Sequence, residues 1–443
     1  MEKYVQVFSQ FKKSLLEKIT FPLFFICLCF VTKGMYAQNE GQFFRTYWFE
    51  MGVEHGNPSF NNRFRVNAPE AGLHHIYAYR SETRGNGMMQ IFIDEDLRAI
   101  EGAELYLEIW GGHAGTANKR VTINGRSTYY LPEDGTAEGY MAHQYPTITL
   151  STTDLVNGYN VLQFACDQGT TFWGHFIVEN AQIRVRLSRD NENIKKLMLE
   201  EFTPSIKAGP LSENESILLS LDVPEEFRSK IASVEFLGNY IGYNENGSTK
   251  SKQWHGFTKH RKPVGLLGVD TIYPFYTNWD VHMLPSQKGI KAKAIIQFRH
   301  AENIIYITDV LTDLEIKQRA TKHVRLYESM DIPKPFWSRA GNQKHATIQL
   351  DIEPSLIEEA HLHIVTWDGG AGSVKEYFKL NNIFFPVVAE GRHDVLYSVL
   401  PIDPSILRKG ENIFQLLSDT EHHGIEVLLP GPMLIIRYKY QCD

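Results

Sequence analysis

IFIDEDLRAIEGAELYLEIWGGHAGTANKRVTING occupies residues 91–125, and IQLDIEPSLIEEAHLHIVTWDGGAGSVKEYFKLNN occupies residues 348–382. The two stretches align without a gap at a separation of 257 positions. Ile91, Ile93 and Asp94 correspond to Ile348, Leu350 and Asp351. Ile100, Glu101, Ala103 and Leu105 correspond to Ile357, Glu358, Ala360 and Leu362. Trp110, Ala114, Gly115 and Asn124 correspond to Trp367, Ala371, Gly372 and Asn381. After an indel the match resumes, with Leu155, Gly158, Asn160 and Asp167 against Leu407, Gly410, Asn412 and Asp419. Two copies of one unit with unrelated sequence between them imply two similar domains around a different one.

Residue alternation makes the units strand-rich. Leu105, Leu107 and Ile109 alternate with Tyr106, Glu108 and Trp110. The runs Val161–Phe164, Ile183–Leu187 and Ile413–Leu416 have period two or the character of short buried strands. Gly, Asn, Asp and Pro separate such runs at about the 8–12-residue spacing of β-sandwiches. Aromatic residues make up 12% of the chain, which suits pleated, half-buried surfaces. The clearest helical pattern, Asn191 to Glu201, reads equally as a linker.

The first 37 residues read as a secretory signal. Lys12, Lys13 and Lys18 precede the apolar run Phe21–Val31, and Met35-Tyr36-Ala37 ends in a small residue. No later stretch has the length of apolar residues needed to span a bilayer, so no transmembrane segment is expected beyond the signal. Removing five Lys and two Glu with the signal takes the formal charge from −7 to −10. An acidic chain is a poor partner for nucleic acid or anionic lipid. Cys27 and Cys29 leave with the signal, so a disulfide framework is excluded as the main stabiliser. Cys166 follows Phe164-Ala165 and reads as a small buried hydrophobe.

Between the repeats, Ile231-Ala232-Ser233-Val234-Glu235-Phe236 is followed by Gly268-Val269-Asp270-Thr271, Tyr273-Pro274-Phe275 and Trp279-Asp280. Lys291-Ala292-Lys293-Ala294 and Tyr306-Ile307-Thr308-Asp309 complete the series. This order of motifs resembles the bacterial immunoglobulin-like domain of secreted and surface proteins. It departs from that pattern at His282 and Met283, where small turn residues are usual, and in a long excursion over 240–263. The flanking units resemble the galactose-binding-type jelly roll of carbohydrate-binding modules. Their size, strand spacing and the Asn turns after Val121–Ile123 and Phe378–Leu380 carry that resemblance. The expected fold is all-β, two β-sandwich (jelly-roll) domains flanking an immunoglobulin-like β-sandwich. The expected boundaries are 38–190, 191–325 with an inserted loop at 240–263, and 326–443.

Loops at sandwich ends carry the candidate chemistry. The stretch from Asp167 to His175 holds an acid, an amide, an aromatic and an imidazole. Trp173 offers a ring face for a sugar, and Asp167 and His175 offer partners for its hydroxyls. The second copy has Asp419 and His422 there, without the Trp. His113 and Asp368 lie in the Gly-rich loops after Trp110 and Trp367, whose rings are themselves expected in the core. Asn244, Asn246 and Ser248 have calcium-loop spacing but too few carboxylates. His422 and His423 are adjacent on a strand and point to opposite faces, so no metal is expected there. No motif for a catalytic Ser, a zinc protease or a phosphate loop occurs in the sequence, and no cofactor is implied.

These features point to a secreted, non-catalytic, multi-module protein that binds a polysaccharide or glycoconjugate through jelly-roll loops. Two alternatives remain open. One is a polysaccharide- or glycoprotein-degrading enzyme with its site at a domain interface, an arrangement that tandem jelly rolls adopt in peptide N-glycosidases. The other is a structural or adhesive surface protein without a small ligand. On export, the chain should begin at Gln38. Intact-mass measurement of secreted protein checks this, and a retained N-terminus or a lipid on Cys27 or Cys29 would contradict it.

Overall fold

The computed structural model describes residues 41–50, 64–66, 88–112, 115–133, 135–167, 176–243, 251–255, 257–259, 262–264, 266–318, 321–387, 389–392, 395–421 and 424–439. Nearly all regular structure in these residues is antiparallel strand. The first repeat holds β1 (Gln42–Glu50), β2 (Phe64–Val66), β3 (Met88–Ile93), β4 (Ile100–Gly112), β5 (Ala117–Ile123), β6 (Thr128–Tyr130), β7 (Ala142–Gln144), β8 (Thr147–Leu150), β9 (Gly158–Asp167) and β10 (Phe176–Leu187). Between the repeats lie β11 (Ser205–Leu211), β12 (Ser216–Asp222), β13 (Ile231–Gly242), β14 (Ser251–Trp254), β15 (Phe257–Lys259), β16 (Lys262–Val264), β17 (Gly268–Asp270), β18 (Tyr276–Asp280), β19 (Gln287–Phe298), β20 (Ala301–Ile307) and β21 (Leu311–Ile316). The second repeat holds β22 (Lys322–Met330), β23 (Asn342–Leu350), β24 (Ile357–Trp367), β25 (Phe378–Leu380), β26 (Ile383–Phe384), β27 (Val395–Ile402), β28 (Gly410–Ser418), β29 (Glu426–Val427) and β30 (Met433–Lys439). Among the described residues, no helix is long and apolar enough to cross a membrane.

The two repeats place their strands in the same topological positions. In the first, β4 lies between β10 and β8, and β1 adds to β10. In the second, β24 lies between β30 and β27, and β22 adds to β30. The opposing sheet is β3-β9-β5-β6 in the first copy and β23-β28-β25-β26 in the second. Each is a β-sandwich in which alternate residues face a shared core.

The repeated asparagines explain why the pattern recurs. After β5 and β25 the chain turns through Asn124-Gly125 and Asn381-Asn382, all at positive φ (52°, 66°, 50° and 71°). Asn and Gly tolerate that conformation, and paired positive φ values suit a tight hairpin. Asn124 Nδ2 donates to Asp154 O (2.8 Å) and Asn160 Oδ1 (2.9 Å), and its Oδ1 accepts from Val161 N (2.8 Å). Asn381 repeats this with Ile406 O (2.9 Å), Asn412 Oδ1 (2.8 Å) and Ile413 N (3.0 Å). Asn160 and Asn412 are fully buried and bond back to Val156 O and Arg408 O. A second repeated device joins the sheets. Tyr47 and Arg45 hold Asp94, and Tyr327 and Arg325 hold Asp351.

One apolar core runs from Phe43 to Ile316, through the first repeat and the strands that follow it. Its continuity comes from β1, which pairs on one side with β10 and on the other with β20. The chain leaves the first sandwich after Leu187 and passes a short helix, α1 (Glu192–Lys196), whose N-cap is Asn191. It then returns to the same sheet through β13, β19 and β20. Cys166 is fully buried there, and burial pushes its thiol up to about 12. The second repeat has a separate core. Replacing Asn160 or Asn412 by Ala should each cost about 2–3 kcal/mol, because buried backbone partners lose their bonds. Denaturant unfolding measures this, and an unchanged midpoint would show the amides to be dispensable.

Candidate functional site

The acidic residues expected at the loop ends are held by local bonds. Asp167 closes β9, half-exposed. Its carboxylate accepts from Asn118 Nδ2 (2.6 Å) and Arg120 Nη1 (2.9 Å), and these bonds hold its pKa below the usual value. Asp368 is fully buried and accepts from Gly391 N (2.9 Å) and Arg392 N (3.2 Å), stapling one loop to another. Asp419 accepts from Ser373 N (2.8 Å) and from the Ser373 hydroxyl. Its oxygen lies where a Cβ on Gly372 would be, 1.8 Å away, and Gly372 has φ of 67°. Only glycine fits that loop. Asp167 and Asp419 close equivalent strands of different sandwiches. His113, Trp173, His175 and His422 lie outside the described residues. Trp110 and Trp367 are 5% and 9% exposed and belong to one apolar cluster.

Two surfaces escaped the sequence reading. The first is the outer face of β3-β9-β5-β6. Phe92 and Tyr159 are direct cross-strand partners, 53% and 66% exposed, with ring centroids 5.0 Å apart in a T-shaped pair. On the same face, Thr122 bonds Thr128 (2.7 Å), Arg120 lies opposite Tyr130, and Asp167 sits at the far end. In the second repeat, Gln349 and Glu411 occupy the positions of Phe92 and Tyr159. That difference was the available signal.

The second surface is a pocket of about 240 Å³ where the strands between the repeats meet β24 and β27. His361 and His363 are two apart on β24 and so share a face. His282 reaches the pocket from the turn after β18. Its Nδ1 lies 2.7 Å from Asp280, and its Nε2 lies 3.3 Å from Glu359, which also holds His361 at 3.0 Å. Arg437 donates to His282 O (3.2 Å) and forms a two-pronged pair with Glu215 (2.6 and 2.9 Å). Tyr243 donates to Gly431 O (3.0 Å), accepts from Val365 N (3.1 Å) and stacks on Tyr397 at 5.4 Å. His363 Nδ1 lies 2.7 Å from the Tyr397 hydroxyl, while its Nε2 is buried without a partner. Among the described residues, no three His, Cys, Asp or Glu are arranged to hold a metal.

A third group is wholly interior. Glu108 on β4 is fully buried and bonded by Asn180 and Tyr106. Glu179, at a bulge in β10, lies 3.3 Å from His143.

No protein-family model matches the chain, and no curated protein matches it. Among solved structures it is similar to a β-porphyranase of glycoside hydrolase family 86 from the human gut bacterium Bacteroides plebeius. There the identity is 12%, over 54% of this chain and 38% of that one, with a TM-score of 0.22. The β-glucuronidase of an uncultured Clostridium species matches at 9% identity over 68% of this chain and 48% of that one, with a TM-score of 0.20. A triple jelly roll from an archaeal virus matches at 10% identity over 89% and 94%, with a TM-score of 0.15. The chain spans less than half the length of the first two.

His282 and His363 have pKa values displaced in opposite directions. Burial alone would lower the pKa of His282, but the bonds to Asp280 and Glu359 outweigh it and raise the value above 6.5. Its contribution to stability is full below pH 6.5 and is lost as pH rises through the folded-state value. Burial, with His361 nearby, pushes His363 down to about 3. That contribution is full above pH 6.5 and is lost as pH falls towards 3. Histidine-ring NMR should give a His282 midpoint above 6.5 and a neutral His363 until the pH nears 3. A His363 midpoint close to 6.5 would contradict the assigned burial.

Proposed function

We propose that this chain is an exported, multi-module glycan-binding protein whose first sandwich holds a saccharide chain on the outer face of β3-β9-β5-β6. The exposed pair of Phe92 and Tyr159 carries this reading. Exposed aromatic rings on an open sheet leave apolar area in water, and a partner with flat CH-rich faces would cover it. Sugar rings have such faces. Further along the same face, Thr122 with Thr128, then Arg120, then Asp167 supply donors and acceptors to a saccharide chain extending from the rings. The second repeat supports the same reading, because Gln349 and Glu411 stand where the aromatics are. The strand pairing therefore has no need of aromatic residues at those positions. Asp167, expected as a loop contact beside Trp173 and His175, would here serve as a polar group at the end of the sheet face.

The binding reading is tested by giving the first repeat the second repeat's residues, Phe92→Gln with Tyr159→Glu. Each stacking ring contributes about 1–3 kcal/mol, by analogy with base stacking. Binding on a glycan array should fall at least about tenfold with the thermal midpoint nearly unchanged. Undiminished binding would place the saccharide elsewhere.

A further inference from the structure

Phe92 and Tyr159 share their sheet face with another exposed ring. Tyr130, on β6, is 68% exposed and faces the same way. The strand register fixes its place. Tyr130 lies opposite Arg120 on β5, and Arg120 lies opposite Ala165 on β9, six residues beyond Tyr159. Six residues of strand span about 20 Å, and two strand spacings add about 10 Å across the sheet. Tyr130 is therefore roughly 22 Å from Tyr159, along a diagonal of the face. Thr122 and Thr128, bonded to each other at 2.7 Å, lie beside that diagonal.

The size of a sugar turns this distance into a chain length. With single bonds of about 1.5 Å, a pyranose is about 3 Å across and its bridging oxygen adds about 2 Å, so each unit advances roughly 5 Å. About four steps separate Tyr159 from Tyr130, so about five sugars put a ring on each. A monosaccharide or disaccharide reaches one of the two only. Sites that take a whole small molecule are concave and enclose most of it. Among the described residues this face is open, with Phe92, Tyr159 and Tyr130 at 53%, 66% and 68% exposure. It meets a ligand from one side, so a chain can run past both ends.

We propose that the platform recognises an internal stretch of about five sugars in an extended polysaccharide, with Tyr130 as its second stacking station. This rests on the glycan reading of the sheet face and adds the length of the ligand and the part of the chain that is bound.

The test titrates the full chain calorimetrically with β-1,4-linked oligosaccharides of glucose, mannose, xylose and N-acetylglucosamine, each from disaccharide to hexasaccharide. In at least one series, affinity should rise about tenfold or more from trisaccharide to pentasaccharide and then level off. The parent polysaccharide should compete. Tyr130→Ala should bring the pentasaccharide down to the trisaccharide's affinity, with the thermal midpoint nearly unchanged because the ring is exposed. Phe92→Gln with Tyr159→Glu should weaken both lengths. The inference is overturned, and the platform reading kept, if the paired variant loses binding while the Tyr130→Ala series still rises like the parent's. Affinity already level at the disaccharide has the same meaning. Binding that survives the paired variant overturns both. If no series binds, the inference is overturned, and the glycan array decides the platform reading separately. Should Tyr130→Ala fail to fold, the length series on the parent protein decides.

Discussion

Trp110 and Trp367 are the same residue of the repeated unit, and both are buried in a single cluster with Met141, Tyr243, Met283 and Leu428. Much of the remaining architecture depends on that cluster. A buried Trp removes some 150–250 Å² from water, and truncating one costs about 3–5 kcal/mol. The cluster draws on both repeats and on the strands between them, so each part buries apolar area that it could not bury alone. Polar bonds then set the alignment. Leu429 N donates to Met141 O (2.8 Å) across the repeats, and Tyr243 bonds to Gly431 and Val365. The paired Arg437 and Glu215 align the second repeat with β12. The histidine pocket lies along this seam, and its walls come from parts of the chain that only the cluster brings together.

The repeat made much of the fold legible. Two copies with the same apolar alternation and the same Asn turns can hardly form different topologies, and Asn124 and Asn381 do make matching bonds. Trp110 and Trp367 fall in the interior, as their places at the ends of alternating strands implied. The linked Arg, Tyr and Asp groups were readable but went unread. Arg45-Thr46-Tyr47 and Arg325-Leu326-Tyr327 precede the two copies at different distances, so the motif falls outside the ungapped block.

The candidate sites were less legible, for physical reasons. Asp368 and Asp419 are held by backbone N–H groups. An aspartate after a strand has a nearby turn to cap, and nothing in its one-letter context separates that role from ligand binding. The pocket gathers residues from 240–243, 279–284, 361–363 and 397, too dispersed for any spacing rule. Two clues were nonetheless present. His361 and His363 have the period of one strand face, and His282 sits where the resemblance to immunoglobulin-like domains expects a small residue. The aromatic platform was the converse case. Phe92 is one more apolar residue within Ile91-Phe92-Ile93, and the polar Gln349 at its place in the second repeat was the sign in the sequence that it faces outward.

The placement of β1 has a consequence for how the chain comes to be folded. Gln42 pairs with Ile307, so one of the earliest strands waits for one made some 260 residues later. Until β20 exists, the free edge of β1 exposes a row of unpaired backbone groups next to Phe43 and Tyr47. One edge of the N-terminal sandwich is therefore covered by a strand from outside its own repeat. Its counterpart β22 pairs with β30 as β1 pairs with β10, but its other edge meets β23 of its own repeat, at Ser329 and Met330. During synthesis, any fragment ending before Ile307 carries a sticky edge that invites association with its own kind.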